Sequence, residues 1–186
     1  MLLYALVVQT LAGATLLSFV IALALLGTLT VPGGRTRLRG ALGGQERHPI
    51  AWAWIVAAVA AAGSLYFSDG VGLVPCLLCW YQRILMYPLV LVLAVGWARS
   101  DAGVWRYGLP LALVGLAVSA YHRVLQARPS LELVQCGTGP PCTGRYLNVF
   151  GFVTIPTMAG AAFLLIIALL ATLRILEPPE TGSPTE

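Results

Sequence analysis

The sequence predicts an all-α integral membrane protein with five transmembrane helices, and three observations carry that prediction. Of its 186 residues, 59% are hydrophobic and only 10% charged, against roughly 25% charged in soluble domains. The apolar residues gather into five long runs, and a hydrocarbon core of about 30 Å takes about 20 helical residues to cross. These Leu, Ala and Val runs lack the period-two alternation of a membrane barrel, and lipid-exposed backbone must satisfy its own hydrogen bonds, so they read as helices. The net charge of +4 is too small, and too concentrated in loops, for a nucleic-acid partner.

The first span runs from Leu3 to Leu29. No basic residue precedes it, and it is longer than the roughly 7 to 15 residues of a signal-peptide core, so it reads as a retained N-terminal helix, residues 1–30. Residues 31–49 carry Arg35, Arg37, Arg39 and Arg47 among several glycines and read as a flexible cytoplasmic connector. The remaining spans are Ile50 to Phe67, Leu77 to Trp97, Tyr107 to Leu125 and Val153 to Ile175, with an outer loop at 126–152 between the last two. Residues 50–176 form one four-helix unit, and the Pro- and Glu-rich tail 177–186 is expected to be disordered.

Arginine distribution orients the chain. The arginines after the first span, together with Arg99, Arg106 and Arg174, fall on one side, against Arg83, Arg123, Arg128 and Arg145 on the other. By the positive-inside rule the richer side is cytoplasmic, which puts the N-terminus outside and the C-terminus inside. Two spans separate Cys76 and Cys79 from Cys136 and Cys142, so both pairs lie on the same side in either orientation. Here that side is the extracytoplasmic, oxidising one, where disulfides persist.

The chemistry centres on Cys76-Leu-Leu-Cys79-Trp-Tyr-Gln-Arg83, a dithiol at the mouth of an apolar helix. Pro75 marks a helix start, where free N–H groups and the positive dipole end favour a thiolate, the nucleophile of disulfide exchange. The spacing of Cys76, Cys79, Arg83 and Tyr87 sets them on one helical face. An arginine within the membrane is a functional-site candidate, although at this depth it can also snorkel to the interface. Tyr121-His122-Arg123 brings a second polar group to a similar depth on the next span.

Cys136 and Cys142 bracket Gly-Thr-Gly-Pro-Pro, a turn-rich loop able to bring the sulfurs together. Such exposed, short-loop bridges tend to be labile and catalytic. The apolar flanks Leu131, Leu133 and Val134, and Tyr146, Leu147, Val149, Phe150 and Phe152, are expected to rest on the headgroups, with 149–152 equally able to extend the last helix. Two other readings of the cysteines stand: structural disulfides on a non-catalytic scaffold, or a four-cysteine zinc site.

Together these residues resemble the DsbB family of disulfide bond formation proteins, in particular its BdbC-like branch. The similarity rests on Cys76-Leu-Leu-Cys79-Trp-Tyr-Gln-Arg-Ile-Leu-Met-Tyr-Pro88, Tyr121-His122, the Cys136 and Cys142 pair, and Ile155-Pro156-Thr157. It covers roughly residues 50–176 and implies a DsbB-like four-helix transmembrane bundle in a bacterial cell membrane, with one additional N-terminal helix outside the match. It also implies an oxidoreductase that reoxidises an extracytoplasmic thioredoxin-fold thiol oxidase of the DsbA or BdbD kind and passes electrons to a membrane quinone, menaquinone or ubiquinone. Carried over, Cys136 is attacked by the partner, Cys142 then attacks Cys76, and Cys79 faces the quinone. Arg83 lies at a quinone carbonyl, with His122, Tyr87 and Gln82 completing the cofactor site. Such thiol oxidants have potentials near about −120 mV, so the acceptor must lie higher or be kept oxidised by respiration. Flow in the opposite direction is disfavoured because no cysteine falls on the cytoplasmic side. Three departures from the enterobacterial pattern stand out: the short spacer leaves open how Cys142 reaches Cys76, Gln82 occupies a position usually acidic, and the first helix, Leu3 to Leu29, reverses the expected side of the N-terminus.

Overall fold

The computed structural model describes residues 2–42, 45, 47–132 and 139–176. Five long helices appear where the apolar runs predict them: α1 Leu2–Thr30, α3 Arg47–Leu65, α4 Leu77–Arg99, α5 Trp105–Ala127 and α6 Ile155–Leu176, with a short α2, Gly34–Leu42, after the first. All five are long and apolar enough to cross a membrane, counting the turns that extend α3 and α5. No strand forms among the described residues; there is only an isolated bridge between Val149 and Val153.

Helices α3, α4, α5 and α6 close a ring in which each packs on its two neighbours, and α1 lies outside it along α6. Buried on both sides, α6 contributes Phe163, Ile166, Leu170 and Leu173 to the main core, against Leu89 and Leu93 of α4 and Ala112 of α5. The α5–α6 contact is close because its residues are small. A Cβ on Gly115 would come within 2.3 Å of the Phe163 ring, and Gly160 lies against Ser119. Without a hydrophobic driving force in lipid, such close approach is what van der Waals packing between membrane helices requires.

The segment expected to be a flexible connector holds a helix instead. Gly34 makes this possible, since any Cβ there would overlap the carbonyl of Thr28. Arg35 donates from Nε to the Leu29 carbonyl at 3.2 Å and Arg39 to the Ile175 carbonyl at 2.7 Å, satisfying the open ends of α1 and α6. Gly33, with φ 77°, and Gly34 serve the turn. Other arginines at this end lie over indole rings, Arg47 on Trp97 and Arg174 on Trp105. This end is the one opposite Cys76, which begins α4 while Arg99 closes it.

Residues 149–152 turn back on themselves rather than extending α6. Phe150 and Gly151 both have positive φ, 54° and 80°, and Phe150 and Phe152 remain exposed, as interfacial aromatics do. Leu133, Val134, Cys136 and the tail 177–186 lie outside the described residues.

Candidate active site

The site assembles where three helix ends meet. Cys76 is the N-cap of α4, in extended conformation after Pro75, and its carbonyl accepts the Trp80 N–H at 3.1 Å. Cys79 lies one turn along, and the two sulfurs are 2.9 Å apart, both as free thiols. The Cys79 hydrogen bond holds the Cys76 thiol well below its usual range; His122 adds to the effect and burial opposes it. In the reduced chain Cys76 therefore stays a thiolate as pH falls below the range in which ordinary thiols protonate. Iodoacetamide is expected to label Cys76 in mildly acidic solution, and Cys79→Ala to move the labelling midpoint upward by more than a pH unit, read by mass-spectrometric peptide mapping. An unmoved midpoint would assign the reactivity to the helix start and His122 alone.

Arg83 turns inward rather than snorkelling. Its Nε donates to Ser64 Oγ at 2.9 Å, its Nη2 donates to the Ser64 carbonyl at 2.7 Å, and its guanidinium lies 5.2 Å from the Trp80 ring centre. Ser64 lies at the end of α3, just before the π-helical turn Tyr66–Gly70, the kind of irregularity that often marks functional sites. The fork of Arg83 is thus fixed on one edge, with its remaining N–H groups available.

His122 of α5 is buried behind the thiols. Its Nε2 is 3.1 Å from the Cys142 carbonyl and 3.8 Å from Cys76 Sγ, and its Nδ1 is 3.2 Å from Gln82 Nε2. A carbonyl can only accept, so Nε2 carries the proton and Nδ1 accepts from the Gln82 amide. One imidazole N–H thus ties the outer loop to the inner thiol. Gln126 donates to the Gly144 carbonyl at 3.0 Å and Arg145 donates to the Gln126 carbonyl at 3.0 Å, clamping the same loop to α5.

That clamp fixes the segment carrying Cys142 against the outer end of α5. Cys142 is disulfide-bonded, fully buried, and packed in one cluster with Cys76, Leu78 and Leu125. Cys136 lies outside the described residues.

A cavity of about 300 Å³ opens beside the thiols. Cys76, Cys79, Gln82, Arg83 and Tyr87 all line it, whereas His122 does not. Tyr87 Oη is buried with no hydrogen-bond partner, a donor waiting for an acceptor. Sequence reasoning missed Ser64, which carries no motif, and Tyr146, which also lines the cavity; burial and the nearby Cys76 and Cys79 sulfurs push its phenol up.

Cys76, Cys79 and His122 present their ligand atoms within 4.8 Å of one another, a set with the composition of a zinc site. Both ring nitrogens of His122 are already engaged, and a disulfide-bonded Cys142 cannot supply a fourth thiolate.

Comparison with known proteins places the sequence in a family. The family model for "Disulfide bond formation protein DsbB" matches residues 46–173. Disulfide bond formation protein C of Bacillus subtilis is 48% identical over 122 residues, covering 65% of this chain and 88% of the relative. Probable disulfide formation protein C 2 of Bacillus anthracis is 48% identical over 125 residues, covering 67% of this chain and 89% of the relative. No solved structure matches. The chain, whose four-helix bundle carries a dithiol at the start of one helix and a docked disulfide at Cys142, belongs to the DsbB family of disulfide bond formation proteins.

Proposed function

We propose that the chain oxidises the dithiol of an extracytoplasmic thioredoxin-fold partner, of the DsbA or BdbD kind, and delivers the electrons to menaquinone or ubiquinone in a bacterial cell membrane. Both cysteine pairs then face the oxidising side, the N-terminus lies outside, and the arginine-rich end of the bundle faces the cytoplasm. The observation that carries this reading is the cavity that joins Cys79 and Arg83 to the lipid-facing flank of α3, where Ile55 and Val59 line it and remain exposed.

The residues suit such a group: a flat apolar ring with two carbonyl acceptors fits a cavity with an apolar wall, a free guanidinium edge and an unpaired phenol. When bound, the quinone supplies a two-electron, two-proton acceptor. The chain does the rest. Cys136 and Cys142 form the outer disulfide that the partner's thiolate opens at Cys136. The inner pair, held as free thiols in this structure, enters the exchange as a Cys76–Cys79 disulfide once its two electrons have passed to the acceptor. Released Cys142 then attacks Cys76, the Cys76–Cys79 bond breaks as the Cys142–Cys76 bond forms, and Cys79 leaves as a thiolate facing the cavity. His122 is a positioning residue, holding Cys142 against Cys76, while Gln82 fixes its tautomer.

The test is purification in detergent with a menaquinone or ubiquinone analogue, followed by addition of the reduced partner. Loss of the oxidised quinone's absorbance, one equivalent per partner disulfide formed, is expected; no loss with either class of quinone would overturn the reading. Metal analysis of the same preparation decides the zinc-site alternative, which requires stoichiometric metal, and alkylation with and without mild reductant decides the structural-disulfide scaffold, which requires bridges that resist reduction under native conditions.

A further inference from the structure

Helix α1 precedes the residues matched by the family model, and most of its surface is exposed. One stripe of it is buried: Val8, Ala12, Thr15, Ala22 and Leu29, in line with its packing along α6. Ala22 meets Leu165 and Ala168 of α6, and Val8 meets Phe67 and Leu147 at the outer end. An adjacent stripe, Leu11, Ala14, Thr15 and Ser18, lines the cavity that holds Cys79 and Arg83. Their spacing of i, i+3, i+4 and i+7 gives one helical face.

Opposite this stripe stand Ile55, Val59, Ala60 and Gly63 of α3. The two helices come together near Gly63, where an added Cβ would lie 3.3 Å from a Leu11 methyl. Elsewhere α1 rests on α6 and has no extended contact with α3. The rim between them is open to lipid: Ile55 is 39% exposed and Val59 48%, and Ala14 is exposed as well. From Ser64, which holds Arg83, to Ile55 the cleft descends about 13 Å at 1.5 Å per helical residue. Its outer end is polar and redox-active, and its inner stretch is apolar and open to the bilayer.

We propose that α1 is a wall of the electron-acceptor site: the isoprenoid tail of the quinone runs from the ring at Arg83 down the cleft between α1 and α3 and leaves into lipid past Ala14 and Val59. This rests on the quinone reading above and adds to it a tail-recognition role for a helix outside the family match. The small side chains of Ala14, Thr15 and Ser18 leave room for the chain, and α6 forms the floor with Met158, Ala159 and Ala162. A four-helix bundle without α1 would leave that flank to lipid.

The experiment measures equilibrium binding to the full chain in detergent of two quinones with the same ring, one with a polyisoprenoid tail and one with a methyl group in its place. Ala14→Trp and Val59→Trp are expected to weaken the tailed quinone at least 10-fold and leave the tail-less one unchanged, while Leu17→Trp, on the lipid face of α1, changes neither. Equal weakening of both quinones, or of neither, overturns the proposal, the latter giving the cleft to a phospholipid acyl chain. Wild-type protein that binds neither quinone overturns the quinone reading as well, so the two failures are distinct. A wild-type measurement guards against misfolded variants: a quinone with a photoreactive diazirine in its tail should label the peptide containing residues 11–18, and labelling confined to other helices overturns the proposal.

Discussion

Replacing Cys79 by serine is expected to abolish quinone reduction while leaving the first exchange with the partner intact. The outer disulfide at Cys142 is docked by His122, Gln126 and Arg145, none of which bonds to Cys79. A reduced partner can therefore still open it. Without Cys79 the inner pair cannot form a disulfide for Cys142 to attack, so the chain accepts one equivalent from the partner and stops. Measured together, partner thiols and quinone absorbance should show a single stoichiometric oxidation and no quinol. Multiple turnovers in Cys79→Ser would mean that the outer pair reaches the acceptor directly and that the inner pair is not a station on the path. Serine nearly preserves the volume of Cys79, so a loss this complete cannot come from repacking.

The helices were legible because burial in lipid imposes length and composition together. All five spans fall within a few residues of the apolar runs, and the shared face of Cys76, Cys79, Arg83 and Tyr87 follows from helical spacing alone. Helix α2 was not legible. Its glycines read as turn signals, and the reason one of them must be glycine is a backbone carbonyl 6 residues earlier, at Thr28, which composition does not encode.

At the site, sequence showed which groups carry chemistry but not what holds them. Arg83 could have pointed to water or inward; the deciding partner, Ser64, is 19 residues away and is one serine among several. His122 was expected close to the acceptor, and spacing did not show that its ring also lies between Cys76 and the Cys142 carbonyl. The question of how a loop so short reaches Cys76 arose from its five-residue spacer, residues 137–141, which says nothing of what the loop docks on. Gln126 and Arg145 hold it down on α5, and neither belongs to a motif. The lining of the cavity by α1 depends on a tertiary gap between two helices, for which a linear pattern has no counterpart.

Arg83→Gln is expected to raise the KM for quinone about 10- to 100-fold while leaving stoichiometric oxidation of the partner unchanged. The side chain is 9% exposed, lines the cavity and has one edge fixed by Ser64, so its free N–H groups are held in place for a carbonyl oxygen. A hydrogen bond to a charged group is worth about 1.5–3 kcal/mol, and each 1.4 kcal/mol is about tenfold in affinity. Glutamine keeps an amide donor but loses the charge and cannot span from Ser64 to the ligand. Arg83→Lys should fall between, because a point charge replaces the fork. Ser64→Ala removes only the hydroxyl contact and leaves the carbonyl bond to Nη2, so its effect should be a few-fold. This order, Gln worse than Lys and Lys worse than Ser64→Ala, is what the proposed contact of a positioned guanidinium with the acceptor requires. If Arg83→Gln leaves the KM unchanged while the protein still exchanges with its partner, the arginine stabilises the α3–α4 contact instead, and the acceptor ring must bind elsewhere in the cavity.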